Sequence, residues 1–294
     1  MPTVSAARYG KDNIRVYKNQ RSSDGTHNVY EFVICVLLEG DIATSYTHAD
    51  NSVVVATDSM KQTTYILAKQ HDVSPPELFA ATLAQHFIDT YKHITIAHVS
   101  LVQHRWTRMI IDGKPHPHSF YRDGAEKRLV NADAIRDVGI QIRSGISELL
   151  VLKSTGSAFH GFVRDEYTAL PETFDRILST SIDAGWKWST FASLANVAES
   201  KDKFDETHAK ARDITFKLFA QEESPSVQNT MYKMCEAILA TESTLTDVDY
   251  SLPNKHYFEI DLSWHQGLKN TGKDAEVYAP QSDPNGLIKV NVSR

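Results

Sequence analysis

Secondary-structure elements recur in the same order in both halves of the chain, and this repetition limits the possible folds more than any other feature of the sequence. Alternation of polar and apolar residues predicts strands over residues 8–20 and 28–40, with Asp24-Gly25 between them as a hairpin signal. Apolar residues at helical spacing follow, first over residues 57–70. The second half repeats this order without repeating the sequence, so the chain is predicted to contain the unit ββααββ twice.

The repeated units divide the chain into two modules of similar length. We place the division near residues 133–138, which assigns residues 1–136 to the first module and residues 137–294 to the second. Antiparallel sheets with helices on one face make an α+β fold, and their uncovered faces and edges favour oligomerisation. The other predicted elements are strands at about 94–106, 117–130, 138–152, 176–190, 247–262 and 275–291, and helices at 75–91, 204–220 and 225–241.

Capping residues predict where three of the helices begin. In the first helix, Asp58 or Ser59 is expected to accept hydrogen bonds from the free amides of the first turn. Ser74, with Glu77 three residues later and a proline at the first helical position, predicts a capping box for the second helix. Ser224 is expected to cap the last helix.

Composition argues against several classes of protein. Lys+Arg 31 and Asp+Glu 37 in 294 residues give a net charge of −6, so a nucleic-acid binder that neutralises phosphates is not expected. The apolar runs are too short to cross a bilayer, and the N-terminus lacks the apolar core of a signal peptide. The two cysteines, Cys35 and Cys235, indicate reduced thiols in an intracellular compartment rather than a disulfide framework.

Common cofactor and hydrolase motifs are missing from the sequence. It contains no Walker A, GxGxxG, GxSxG, HExxH or CxxC pattern. Histidines are the residues that could hold a metal, since two of them spaced by two along a strand share a face. A proline separates one such pair, which predicts a turn there instead of a strand. The histidines concerned are His93, His98, His104, His116 and His118.

One late strand has a histidine on an apolar face. In the segment HYFEIDLSW, alternation places His256, Phe258, Ile260 and Leu262 on the same side. A histidine in this position is more often a core residue than a functional one. Considered alone, His256 is therefore expected to be buried and hydrogen-bonded inside the chain.

Seven segments, in order over nearly the whole chain, match the pattern of one known family. They are AARYGKDNIRVYK, VVVATDSMK, QHRWTRMIIDGKPHPHSF, GFVRDEYTALPETFDRILST, SVQNTMYKM, YSLPNKHYFEIDLSWHQGLKNTG and EVYAPQSDPNGLIK. They resemble urate oxidase (uricase), and the fungal members most closely. The resemblance implies the tunnelling fold (T-fold), with two ββααββ modules per chain and a barrel-like homotetramer. It also implies oxidation of urate by O2 and water to 5-hydroxyisourate and hydrogen peroxide in purine catabolism, with no cofactor and no metal.

The resemblance further implies a substrate site, position by position. Arg176 and Gln228 match a pair of planar groups that grip a flat anion. Phe159 matches the ring that stacks on the purine, and Asn254 matches the residue that holds O2 or water above the ring plane. The other substrate-binding positions are Thr57, Asp58 and Val227, and the pocket-wall positions are Leu170 and Ile288.

Lys11, Thr57 and His256 match the proton-relay residues of the family. The hydroxyl of Thr57 is too weak an acid to act alone and needs a neighbouring group. We expect Lys11 and His256 to pass a proton through Thr57 and a water, which leaves a urate dianion able to give electrons directly to O2. The resemblance implies that Lys11, Thr57 and Asp58 come from the neighbouring subunit. Asp58 would act through its backbone, and Thr57 would share the O2 site with Asn254.

Two other functions stay open at this point. A zinc-dependent purine or pterin enzyme of the same fold would use some of the histidines named above. A non-catalytic purine-binding protein would bind urate without consuming O2. The urate oxidase family is usually peroxisomal, and many members end in a Ser-Lys-Leu-type signal, whereas this chain ends in KVNVSR. We therefore expect a peroxisomal protein, with a cytosolic location or a trimmed tail as alternatives.

Overall fold

The computed structural model describes residues 2–294, which form eleven strands and six α-helices. The strands are β1 (Tyr9–Arg21), β2 (His27–Gly40), β3 (Ile94–His104), β4 (Thr107–Ile111), β5 (Lys114–Tyr121), β6 (Lys127–Ile135), β7 (Gly139–Lys153), β8 (Leu178–Trp188), β9 (Leu245–Glu259), β10 (Tyr278–Gln281) and β11 (Leu287–Ser293). The helices are α1 (Ala43–Thr47), α2 (Thr57–Gln70), α3 (Pro76–Thr90), α4 (Leu194–Glu199), α5 (Lys201–Gln221) and α6 (Val227–Thr241). No helix in this part of the chain combines the length and apolar character needed to cross a bilayer.

Each half of the chain has the predicted order of two strands, two helices and two strands. The first half contributes β1, β2, α2, α3, β3 and β6, and the second half contributes β7, β8, α5, α6, β9 and β11. Helix α2 has the predicted bounds, and the other three of these helices begin within a few residues of prediction. The division between residues 136 and 137 stays a prediction, and it falls in the turn between β6 and β7.

Nine strands form one antiparallel sheet, which makes this an α+β fold. Their order is β1-β2-β3-β6-β7-β8-β9-β10, and β11 also pairs with β9. Strand β1 therefore lies at one edge of the sheet, and β10 and β11 lie at the other. With strands about 4.8 Å apart, β1 and β9 are about 30 Å apart measured along the sheet.

The core lies between the helices and one face of this sheet. In β2, the alternate residues from Phe32 to Leu38 are 0% exposed, while the residues between them are only half-buried. This is the period of two expected for a strand with one covered face. The predicted inward stripe of α6 is confirmed, since all its members are buried: Val227, Met231, Met234 and Ile238.

The segment after β3 differs from prediction. The sequence predicts one strand over residues 117–130 and a turn at His116 and His118, but the structure has a β4–β5 hairpin followed by β6. The hairpin turn is Asp112-Gly113, where both residues have positive φ. His116 and His118 thus lie in β5, whose prolines are tolerated because the strand belongs to a two-stranded sheet with free edges.

Three further differences from prediction lie in the second half. The predicted strand 275–291 is two strands, β10 and β11, separated by a loop that contains Pro284 and Gly286. The predicted strand 247–262 ends at Glu259. Helix α4 follows a capping serine, Ser193, that accepts from the amide of Asn196, and the sequence analysis did not predict it.

The predicted capping box of α3 is wrong because Glu77 has a tertiary partner. Pro75 occupies the N-cap position, and no side chain caps this helix. Glu77 is 0% exposed and accepts hydrogen bonds from Arg128 at 2.6 Å and from Ser144 at 2.8 Å. Arg128 also bonds Asp205 at 2.6 Å, so this paired buried carboxylate ties α3 to β6 and α5.

The other two predicted caps are also wrong. The N-cap of α6 is Ser226, not Ser224, and the N-cap of α2 is Ala56, not either predicted residue. In neither helix does the N-cap side chain accept a hydrogen bond from a first-turn amide, and the Ser226 hydroxyl donates to Oε1 of Gln228 at 3.0 Å instead. The first amides of α2 and α6 therefore have no partner from a capping side chain.

Candidate active site

Arg176 is a half-buried cation that faces an aromatic ring. It lies in the loop of residues 154–177, here called the clamp loop, and its guanidinium carbon is 5.3 Å from the centroid of the Phe159 ring. Burial lowers the pKa of Arg176. Within residues 2–294 its guanidinium forms no ion pair, and its Nε atom is buried without a hydrogen-bond partner. Because arginine stays charged, this arrangement favours a flat anionic ligand.

Hydrogen bonds across the clamp loop hold Arg176 in place. Asp175 accepts from the Thr155 hydroxyl at 2.6 Å and from the Gly156 amide at 2.8 Å. These bonds lower the pKa of Asp175, and the bond from the Thr155 hydroxyl has the largest effect. The amide of Arg176 donates to the carbonyl of Ser157 at 2.8 Å. The backbone before β8 is therefore fixed against the backbone after β7.

The clamp loop is also bonded to the segment before α6. The amide of Ala158 donates to the carbonyl of Ser224 at 2.9 Å, and the amide of Ser224 donates to the carbonyl of Gly156 at 3.0 Å. Val227 and Gln228 are the first two residues of α6, the former buried and the latter exposed. Their uncapped amides lie at the positive end of the helix dipole, which favours an anion.

Asn254 and His256 lie on β9, next to the end of the clamp loop. Asn254 is opposite Thr180 of β8, and its Oδ1 atom is buried without a partner among residues 2–294. His256 is half-buried, and its ring lies 5.7 Å from that of Phe258, which is 50% exposed. The expectation of a core histidine is wrong, because the chain covers this face of β9 at Tyr250 and Leu252 but leaves its C-terminal end open.

Lys11, Thr57 and Asp58 lie together near the β1 edge of the sheet. Lys11 directly precedes a β-bulge in β1, and Thr57 and Asp58 begin α2, which packs on β1. The pKa of Asp58 is lowered, chiefly by its hydrogen bond and ion pair with Lys61 at 2.5 Å and slightly by the charge of Lys11. Thr57 is half-buried, and its hydroxyl has no hydrogen-bond partner within the described residues.

One chain does not bring all the candidate residues together. Arg176 and Asn254 lie at the β8–β9 end of the sheet, whereas Lys11 lies on β1, about 30 Å away measured along the sheet. A site that uses both groups therefore requires two chains. We call the first set the Arg176 group; it comprises Arg176, Phe159, Val227, Gln228, Asn254 and His256. We call the second set the Lys11 group; it comprises Lys11, Thr57 and Asp58.

The two pocket-wall residues stay predictions. Leu170 lies in the clamp loop with its side chain 52% exposed, and Ile288 is half-buried on β11 opposite Leu252. Sequence reasoning missed Ser157 and Asp175, which hold the clamp loop. Their roles arise from pairing across the loop, which no local pattern in the sequence encodes.

Histidine geometry gives no support to the zinc alternative. Among residues 2–294, no three His, Cys, Asp or Glu side chains are placed to hold a metal ion. His98 instead bonds Glu39 at 2.9 Å and Asp133 at 2.8 Å. The rings of His116 and His118 pack edge-on at 4.6 Å.

Two cavities in the chain lie outside the candidate site. One of about 810 Å³ lies between β1 and α2 and is lined by residues that include Tyr17 and Tyr65. The other, of about 450 Å³, lies beside α5 and is lined by residues that include Trp106 and His208. Neither contains a member of the Arg176 group or the Lys11 group.

Comparison with known proteins confirms the family resemblance. Residues 7–133 and 142–289 match the Uricase family. The chain is 63% identical over 295 residues to the Uricase of Aspergillus flavus, covering 100% of this chain and 98% of that protein. It is 45% identical over 298 residues to the Uricase of Cyberlindnera jadinii, covering 99% and 97%. The crystal structure of uricase from Arthrobacter globiformis superposes with a TM-score of 0.88 at 34% identity, covering 100% of this chain and 96% of that one. The chain therefore belongs to the Uricase family.

Proposed function

We propose that this chain oxidises urate with O2 and water to 5-hydroxyisourate and hydrogen peroxide, as a step of purine catabolism. The observation that carries this proposal is the Arg176 guanidinium, half-buried without a counter-ion above the Phe159 ring. Urate is a flat anion with donors and acceptors around its rim, so it fits a ring, a cation and free amides. Membership of the Uricase family supports the same substrate. The proposed location is the peroxisome, where the family usually occurs.

The proposed reaction is a two-electron oxidation. Urate gives two electrons to O2, which takes up two protons and leaves as hydrogen peroxide. Water supplies the hydroxyl group that forms a bond to C5 of the purine. The protein therefore has to bind a flat anion, remove protons from it and hold O2 and water against its face.

The Arg176 group binds the urate anion in this proposal. Arg176 and Gln228 present planar forks to the rim of urate, and Phe159 stacks on its face. Val227 offers its backbone amide at the start of α6. The buried Oδ1 of Asn254 has no protein partner among residues 2–294, and we assign its side chain to a water or O2 above the purine plane.

The Lys11 group, with His256, supplies the proton transfer. Lys11 and His256 pass a proton through Thr57 and a water, and the product of this step is the urate dianion. Because the dianion is electron-rich, it gives electrons directly to O2, and the proposal assigns no cofactor. Asp58 contributes its backbone amide, which has no capping partner at the start of α2.

The proposed active unit is a homotetramer with its sites between subunits. The edge strands β1 and β10–β11 offer unpaired backbone groups, and Phe258 and Trp264 near the second edge are 50% and 79% exposed. Contact between opposite edges of two chains would cover these side chains. It would also bring the Lys11 group of one chain to the Arg176 group of the next.

Urate consumption tests the proposed function. Purified protein mixed with urate in air should remove the urate absorbance and release one peroxide per urate, with or without a chelator. Loss of activity in the chelator arm would favour the zinc enzyme instead. Urate binding by folded tetramer without O2 uptake or peroxide would favour the non-catalytic purine-binding protein.

Subunit mixing tests the shared site. Co-expression of the Lys11→Met chain with the Arg176→Gln chain should restore activity to about one quarter of the parent value, because random association makes about one site in four intact. At low urate, each variant expressed alone should be nearly inactive. As a matched control, a chain with both substitutions should restore nothing when it is mixed with either single variant. Hybrid tetramers without recovered activity would show that each chain builds its site alone.

A further inference from the structure

Three of the buried polar atoms without partners lie in the clamp loop or on β9 next to its end. They are Nε of Arg176, Oδ1 of Asn254 and Oγ of Ser157. The first two belong to the Arg176 group and have a proposed role in binding. Ser157 has none, although its residue is only 2% exposed. A buried hydroxyl without a partner is uncommon, so its position calls for an explanation.

The backbone places the Ser157 hydroxyl on the same side as the Arg176 guanidinium. The carbonyl of Ser157 accepts from the amide of Arg176 at 2.8 Å, so the two residues are direct neighbours. The segment from Ser157 to Phe159 is extended, with bridges to Ser224 and Thr173 at its two ends. Side chains two apart in an extended segment point to the same side. The hydroxyl therefore shares its side with the Phe159 ring, which the guanidinium faces.

Other acceptors beside Arg176 already have partners or, like Oδ1 of Asn254, a proposed role in the site. Asp175 accepts from Thr155 and from the amide of Gly156. The hydroxyl of Ser224 is bonded to that of Thr230 at 2.9 Å. An arginine Nε can only donate, whereas a serine hydroxyl can accept. The two atoms without partners are thus chemically complementary.

We propose that Ser157 is a positioning residue whose hydroxyl accepts from the Nε–H of Arg176 when urate binds. This inference rests on the proposed function. The bond fixes the plane of the guanidinium and leaves both terminal nitrogens free to face the substrate. Ser157 does not touch the reacting atoms, so it acts on urate affinity through Arg176.

Replacement of Ser157 by alanine is expected to weaken urate binding. The Kd for urate, measured by titration without O2, should rise about 10-fold, and KM should rise with it. The value of kcat should stay within about twofold, because the bond contributes equally before and during the reaction. Ser157→Thr keeps the hydroxyl and should restore the parent Kd.

Ser179→Ala is the matched control. Ser179 is also a buried serine, 1% exposed, but its hydroxyl donates to the carbonyl of Val151 at 2.9 Å. Its loss should lower thermal stability without changing the urate Kd. If Ser157→Ala does not fold, Ser157→Cys retains a side chain of similar size with a weak acceptor and should raise the Kd in the same way.

The outcomes distinguish a failure of the role of Ser157 from a failure of the proposed urate oxidation. An unchanged Kd in folded Ser157→Ala, or a loss of kcat alone, overturns the role of Ser157 while urate oxidation by the parent still stands. A threonine variant as weak as the alanine variant overturns it as well. A parent protein that neither binds nor consumes urate overturns the proposed function, and the role of Ser157 falls with it.

Discussion

Replacement of Thr57 by alanine, or of Lys11 by methionine, is expected to lower kcat for urate by about 10²- to 10⁴-fold. Both residues act in the proposed proton relay, which stabilises the transition state more than bound urate, so the urate Kd should change little. The hydroxyl of Thr57 has no partner among residues 2–294, and Lys11 is close enough to influence Asp58. Steady-state kinetics, combined with urate titration without O2, separates the two effects.

Two substitutions in α2 provide controls for this prediction. Thr63→Ala removes the hydroxyl of another half-buried threonine, and Lys69→Met removes an exposed ammonium at the other end of the helix. Both should leave kcat within about twofold of the parent value. A Thr57→Ala protein that loses urate affinity but keeps kcat would contradict the relay and indicate a binding role.

Arg176→Gln is expected to raise the urate Kd by about 10- to 100-fold, because hydrogen bonds to a charged group are lost. The apolar contact with Phe159 stays, so binding should be weakened and not abolished. The value of kcat/KM should fall at least as far as the affinity. Urate titration without O2 measures the first change, and initial rates at low urate measure the second.

Arg122→Gln is the matched control for Arg176. The Arg122 guanidinium also lies over an aromatic ring, 4.8 Å from the centroid of Trp106, but it has a counter-ion in Glu31 and belongs to neither candidate group. Its replacement should leave urate affinity unchanged within about twofold. An Arg176→Gln protein with the affinity of the parent would reject the anion clamp.

Periodicity predicts the helices and most strands well because the core side of each element is set by its own sequence. Helix α2 matches its predicted bounds, and the inward residues of α6 are buried as expected. Short polar patterns are less reliable because a distant partner can satisfy the same side chain. Glu77 has the spacing of a capping box, yet it bonds Arg128, which lies 51 residues away.

The candidate site is harder to predict because the features that identify it are contacts between residues far apart in the sequence. In the sequence, Arg176 looks like an ordinary charge near a strand, and only the fold reveals that it lacks a counter-ion. The apolar face that contains His256 looks like core, yet Phe258 and Ile260 on that face are 50% and 36% exposed. Alternation shows that a face is apolar, but it cannot show whether the same chain covers it. The roles of the site residues therefore came from family resemblance.

The position of Lys11 and Arg176 at opposite ends of one sheet has a consequence for how the protein responds to dilution. With a shared site, activity per chain depends on protein concentration. Separated chains keep their Arg176 group and much of their affinity for urate, but they lose the relay that the neighbouring chain supplies. Activity would then disappear at concentrations where each chain is still folded, and it would return on reconcentration. Such a loss would report dissociation of the assembly and not denaturation.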